Sequence, residues 1–193
     1  HEVQQAKVLY DLGEGLVGTR SRYRAWKQHH ELDCVSGMAW GPRAVDIQQA
    51  SGRRELMAAV QKASPQLTIL DTLARHIPGG DENSFETMSW IVEMLDQIKV
   101  QTGGCALGVH HTGKSLEAGA RGHSSLKGAM DTEILCTKGP LLTVTKQKNH
   151  PDGHILGAFE LMDVGSSQVL QAVERRTNRN DELAIKALAG LEE

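Results

Sequence analysis

Four groups of residues in this chain have the types and spacing that chemistry requires. Asp71 closes the apolar run LTILD (Leu67 to Asp71). A carboxylate there is costly to bury alone, so it must face a loop, a cation or a hydrogen-bond donor. Glu14 sits between Gly13 and Gly15 after the run KVLYDLG, where small flanks let its carboxylate approach a ligand or take a proton. His110 and His111 close a third run, CALGVHH. Overlapping them, GVHHTGKS (Gly108 to Ser115) has the spelling G-x-x-x-x-G-K-[ST], in which backbone N–H groups, a lysine and a hydroxyl cradle phosphate at the start of a helix.

The setting argues against that spelling. Gly108 falls inside an apolar run rather than at its end, two bulky imidazoles fill the middle of the loop, and the following LEAGARG is a poor helix. The order is also reversed: LTILD reads as the strand whose final aspartate holds the water shell of Mg²⁺, and the phosphate loop ordinarily precedes it. A rearranged P-loop nucleoside triphosphatase that uses GVHHTGKS and Lys114 stays open as an alternative.

The cationic candidates are Lys114, Arg121, Lys127, Lys146 and Lys148. The glycine-rich loop from Ser115 to Ser124 is either a connector or a nucleic-acid contact, because a single-stranded backbone needs cations and N–H donors. Lys146 and Lys148 alternate on a strand, which also fits plain outward-facing lysines. Arg20, Arg22, Arg24 and Lys27 read as a solvated helix face. His110 and His111, with His123, His150 and His154, raise zinc as a further reading, but their spacing matches no standard ligand set. Plainer alternatives stand beside the others: a turn cap for Asp71, a solvated turn residue for Glu14, a structural histidine for either imidazole.

The whole chain bounds these readings. Its 193 residues suffice for one globular domain with a sizeable core. No apolar run is long enough to span a bilayer, and HEVQQAK lacks a signal-peptide core, so a soluble, cytoplasmic protein without membrane contact is expected. Three separated cysteines, Cys34, Cys105 and Cys136, indicate neither disulfides nor a zinc knuckle. A net charge of −3 argues against a strongly basic nucleic-acid module. The chain starts at His1 and stops within the helical pattern ELAIKALAGLEE, which reads as a piece of something longer.

The elements that position these residues alternate. Lys7 to Gly13 and Cys34 to Trp40 read as strands around a helix from Thr19, its cap, to Leu32. A helix from about Gly52 to Ala63 precedes LTILD, whose breaker-flanked apolar residues suit a buried parallel strand. The clearest helix follows IPGGDEN: Asn83 is the expected N-cap with Glu86 three residues on, Met88, Ile91, Leu95 and Ile98 share one face, and Gly103 and Gly104 end it. CALGVHH is the next strand, and a short helix runs from about Leu126 to Met130. TEILCTK, PLLTVTKQK, ILGAFELMDV and QVLQAVER then read as antiparallel strands, with hairpin signals at Lys138-Gly139-Pro140 and Pro151-Asp152-Gly153. A last helix begins near Asn180. The expected architecture is a three-layer α/β sandwich, a parallel sheet continued by antiparallel strands.

Taken in order, GEG (Gly13 to Gly15), LTILDT (Leu67 to Thr72), DENS (Asp81 to Ser84), GVHHTGK (Gly108 to Lys114), RGHSS (Arg121 to Ser125) and TKQK (Thr145 to Lys148) resemble the RecA-like ATPase core of plasmid RepA-type hexameric replicative helicases and related phage and plasmid helicase-primase ATPases. The resemblance covers roughly Lys7 to Val164 and implies a RecA-like core over residues 1–175, with a helical tail or the start of a further domain over 176–193. It implies ATP and Mg²⁺ as cofactors, single-stranded DNA and further copies in a hexameric ring as partners, and replication as the process.

In that family Asp71 would bind Mg²⁺ through water, supported by the Thr72 hydroxyl. Glu14 would activate the attacking water, and His110 or His111 would sense the γ-phosphate; which one faces the cleft is open. Lys114 and Arg121 would meet nucleotide, and Lys146 and Lys148 the neighbouring subunit's site. Lys114, Arg121 and Lys127 would meet DNA. Two departures follow. The family's own P-loop strand precedes the matching segment and is not in this sequence, so the chain alone is expected to bind ATP poorly; a non-catalytic assembly or DNA-binding remnant is the alternative. Asp131 also stands near the place of an arginine used by RepA-type helicases.

Overall fold

The computed structural model describes residues 4–41, 43–112, 124–139 and 141–173, which fall into two compact units. The first is built on a parallel sheet. Strands β1 (Val8–Leu12), β2 (Met38–Gly41), β3 (Leu67–Asp71) and β4 (Cys105–Val109) lie in the order β2-β1-β3-β4. The register aligns Leu12 with Asp71 and Asp71 with Val109, so the ends of β1, β3 and β4 meet at one edge.

Helices α2 (Ala50–Ala63) and α3 (Phe85–Thr102) are the crossovers from β2 to β3 and from β3 to β4. Both crossovers step the same way across the sheet, so right-handed connections place both helices on one face. The alternate strand residues Leu9, Asp11, Thr68 and Leu70 are buried, as are Leu56 and Val60 of α2 and Met88, Ile91, Met94, Leu95 and Ile98 of α3. Each large aliphatic buried there contributes about 1.5–3 kcal/mol. The intervening residues Val8, Tyr10, Leu67 and Ile69 are half-buried, while Trp40 and Leu107 keep 40% and 43% of their surface.

The helix caps refine the expectation. The N-cap of α3 is Ser84, whose hydroxyl accepts from Thr87 N, not Asn83. Asn83 instead donates its backbone N–H to Asp81 Oδ1 at 2.9 Å, closing the turn one residue earlier. Gly103 ends the helix as expected. Between β3 and α3 a 3-10 turn, Leu73–His76, was not foreseen. It is too short for a periodic signal.

Helix α1 spans Leu16–His29. It starts three residues before Thr19, which sits in the first turn and donates its N–H to Gly15 O. Strand β2 begins at Met38, not Cys34, and β4 stops at Val109, leaving both histidines beyond it. Helix α4, Ser124–Ala129, begins two residues before the expected start.

The second unit comprises Arg20–Leu32 and the chain from Ala129. Its strands β5 (Thr132–Thr137), β6 (Leu141–Gln147), β7 (Ile155–Val164) and β8 (Ser167–Val173) form an antiparallel sheet in sequential order. Bulges interrupt the β5–β6 register at Glu133/Ile134 and the β6–β7 register at Leu142/Thr143. Arg20, Arg22 and Arg24 are exposed, as expected of a solvated face. The architecture is the expected mixed α/β one, a parallel four-stranded sheet plus an antiparallel sheet, consistent with a RecA-like fold; the antiparallel strands form a sheet of their own. The expected boundary at residue 176 and the last helix lie outside the described residues.

Candidate functional site

The carboxyl edge of the parallel sheet gathers the site. Gly13 N donates to Asp71 O at 2.5 Å, extending the β1–β3 pairing past the strand and setting Glu14 beside the turn that follows Asp71. Only glycine fits at 13: a Cβ there would lie 2.5 Å from Arg75 Cβ and 3.0 Å from Asp71 O.

Glu14 is held by two donors. Arg75 Nε donates to Glu14 Oε1 at 3.0 Å and Thr72 Oγ1 donates to the same oxygen at 3.1 Å. The Arg75 hydrogen bond, then that of Thr72, pull the Glu14 carboxyl below the usual glutamate range. The charges of Arg75 and His111 add to this, and partial desolvation opposes it. Thr72 thus supports Glu14, where the sequence reading had its hydroxyl on Asp71; the side chain of a residue at a strand end is aimed by the turn it enters, which the sequence did not reveal. Asp71 has a different donor, the Tyr10 hydroxyl, which reaches Oδ2 from the neighbouring strand. The Asp71–Thr72 peptide is cis.

Behind this edge lies a buried polar pair. His76 is fully buried and Asp11 is 4% exposed. His76 Nε2 is 3.0 Å from Asp11 Oδ2, and Nδ1 is 2.9 Å from Thr72 O. Asp11 pairs in register with Gly41, where a Cβ would come within 2.2 Å of Asp11 Oδ1; the missing side chain on β2 makes room for the carboxylate.

Of the residues singled out from sequence, Glu14 and Thr72 are in direct contact, and Asp71 shares their turn. His111 is exposed and its charge is felt at Glu14; His110 is half-buried. Lys114 and Arg121 lie outside the described residues, as does most of the Ser115 to Ser124 loop. Gly108 sits within β4, with Leu73 Cδ1 2.9 Å from where its Cβ would be, so the first glycine of the GVHHTGKS spelling is a packing residue inside a strand. Lys127 is exposed on α4.

Lys146 and Lys148 belong to the second unit. Lys146 pairs in register with Glu133. Lys148 Nζ is 2.7 Å from Asp131 Oδ1, in an exposed ion pair. The departure noted at Asp131 thus has a local partner, worth at most about 1 kcal/mol at such exposure.

The sequence reading missed Arg75, Tyr10, Asp11 and His76. One signal was present: an aspartate inside the apolar run KVLYDLG must have a buried partner, and His76 supplies it.

A hydrated divalent cation needs few protein oxygens, because Mg²⁺ keeps several waters. Asp71, at the sheet edge with one oxygen engaged by a hydroxyl, fits that donor role. Among the described residues no group of three His, Cys, Asp or Glu side chains is placed to hold a metal ion directly. No described helix is long and apolar enough to cross a membrane. Chemically, the edge offers one carboxylate oriented by a phenol, a second held ionised by a guanidinium and a hydroxyl, and an exposed imidazole within electrostatic reach.

No curated protein matches the chain. Residues 1–117, which hold the whole parallel sheet and the edge just described, match the family model of the AAA domain. That match spans more than half of the chain, and the chain belongs to the AAA domain family, the AAA-type ATPases that include RecA-like helicase and primase ATPases, whose domain implies nucleotide binding.

Proposed function

We propose that the chain is the Mg-ATP-dependent ATPase core of a plasmid- or phage-type replicative helicase, working in the cytoplasm as a hexameric ring on single-stranded DNA. The observation that carries this reading is the meeting of Asp71, Thr72 and Glu14 at the carboxyl edge of one parallel sheet, where ligands of open α/β folds bind.

In this reading Asp71, aimed by Tyr10, holds a water of the Mg²⁺ shell. The cation supplies charge neutralisation on the phosphates when bound. Glu14 orients and deprotonates the attacking water; because Arg75 and Thr72 hold its carboxylate in the weakly basic form, it must loosen from Arg75 to reach that water. His110 or His111 is the γ-phosphate sensor, both standing just past the end of β4 at the same sheet edge. Lys114 and Arg121 contact nucleotide and, with Lys127, DNA; Lys146 and Lys148 act on a neighbouring subunit.

ATP binding by calorimetry and phosphate release, each with and without Mg²⁺ and on a chain joined to a phosphate-loop strand of the family, test the reading. Glu14→Gln should keep binding and abolish hydrolysis, and Asp71→Ala should abolish hydrolysis and the dependence of ATP binding on Mg²⁺. Hydrolysis untouched by Glu14→Gln would sink the proposal. A second reading, a non-catalytic assembly module of the same family, is supported by the exposed Trp40 and Leu107 on the sheet face away from α2 and α3; it predicts no ATP binding at all.

A further inference from the structure

The buried pair Asp11–His76 takes no part in the chemistry proposed above, yet it touches the turn that does. Thr72 O accepts two hydrogen bonds, one from Arg75 N at 3.0 Å, which closes the 3-10 turn, and one involving His76 Nδ1 at 2.9 Å. A carbonyl oxygen only accepts, so Nδ1 carries a hydrogen and donates it. On the other side of the ring, Nε2 faces Asp11 Oδ2 at 3.0 Å, with a proton between the two atoms. The imidazole therefore bridges Asp11, next to the carboxyl end of β1, to the carbonyl on which the turn is built. His76 O accepts from Ile47 N at 2.8 Å, which fastens the far end of the same turn to the β2–α2 loop. Thr72 and Arg75, the two donors on Glu14, are the first and last side chains set by that bridge.

We propose that His76 is a positioning residue: its imidazole, anchored on Asp11, fixes the Thr72 carbonyl and so places Thr72 Oγ1 and Arg75 Nε on the Glu14 carboxylate. The role rests on reading Glu14 as the water-activating base, but the placement itself exists without nucleotide. A ring buried on all sides and bonded at both nitrogens has one orientation, and losing either bond leaves a buried donor or acceptor unmet, at a cost of about 1–3 kcal/mol. The geometry separates the two halves of the bridge. An asparagine at 76 carries its amide where Nδ1 stood and can still donate to Thr72 O. A glutamine carries its amide where Nε2 stood and meets Asp11 instead.

The experiment is NMR on the ¹⁵N-labelled chain without ligand, following the Arg75 Nε–H resonance and its exchange with solvent. His76→Asn should keep a protected Arg75 Nε–H, and His76→Gln should lose it. Protection retained in His76→Gln means that the buried Leu73 and Ile77 hold the turn alone, and overturns the proposal. Should neither variant fold, the unsubstituted protein still decides: two-bond couplings in the imidazole must show Nδ1 of His76 protonated, and a bare Nδ1 overturns the proposal. None of these signals needs ATP, so a chain that fails to hydrolyse it defeats the reading of Glu14 and leaves this placement intact.

Discussion

Arg75 Nε lies 3.0 Å from Glu14 Oε1, and the pair is open to solvent on both sides, with 60% and 39% of the side-chain surface exposed. The contact therefore tunes the carboxylate more than it stabilises the fold. The Glu14 carboxyl titrates below its usual range, chiefly through this hydrogen bond. A group depressed in the folded state contributes stability above its unfolded pKa, and that contribution is lost as pH falls through the folded value. Arg75→Ala is expected to raise the Glu14 midpoint towards the ordinary glutamate value, and Thr72→Val to raise it less. A ¹³C-carboxyl pH titration reads both; an unmoved midpoint in Arg75→Ala would show that another group governs Glu14.

Gly41 and Gly128 should respond oppositely to alanine. At Gly41 the new Cβ would meet Asp11 Oδ1 at 2.2 Å, and Asp11 cannot yield without leaving His76. Overpacking of this kind costs about 1–3 kcal/mol. Gly128 lies in α4 with nothing within 4 Å of its Cβ position, so alanine there should stabilise by up to about 1 kcal/mol. Urea unfolding of the two variants measures the contrast, and equal midpoints would contradict it.

The apolar face of α3 gives a third pair. Ile91 is fully buried, whereas Val100 keeps 86% of its surface. Ile91→Ala should cost about 2–5 kcal/mol, and Val100→Ala should stay within about 0.5 kcal/mol. Comparable losses at the two positions would mean that the Val100 face is covered by something in solution.

How far the sequence revealed this molecule follows from the range of its signals. The period of Met88, Ile91, Leu95 and Ile98 and the breaker-flanked LTILD are local, and the structure places a helix at Phe85–Thr102 and a strand at Leu67–Asp71. The ends drifted where caps compete: Ser84 over Asn83, and Leu16 rather than Thr19. Glu14 and Asp71 were legible because glycines and an apolar run isolate them. Their partners were not, since Arg75 and Tyr10 come from sites 61 residues away in sequence, and pairing at that distance is set by strand register, which one sequence does not encode visibly. The two bulges in the antiparallel sheet were hidden for the same reason.

Gly13 joins the fold to the site, and a double-mutant cycle isolates how. A Cβ at 13 meets Arg75 Cβ at 2.5 Å and Arg75 Cγ and Asp71 O at 3.0 Å. Two of these three atoms belong to the side chain that binds Glu14, and the third accepts the Gly13 N–H that closes the sheet edge. Gly13→Ala should therefore destabilise the chain and, by pushing Arg75 aside, raise the Glu14 midpoint. In an Arg75→Gly background the Cβ and Cγ clashes vanish while the one with Asp71 O remains. The cost of Gly13→Ala should then shrink without disappearing, giving a coupling of about 0.5–3 kcal/mol between the two sites. Additive costs in urea unfolding would mean that the backbone at Asp71, and not the Arg75 side chain, is what excludes a larger residue at position 13.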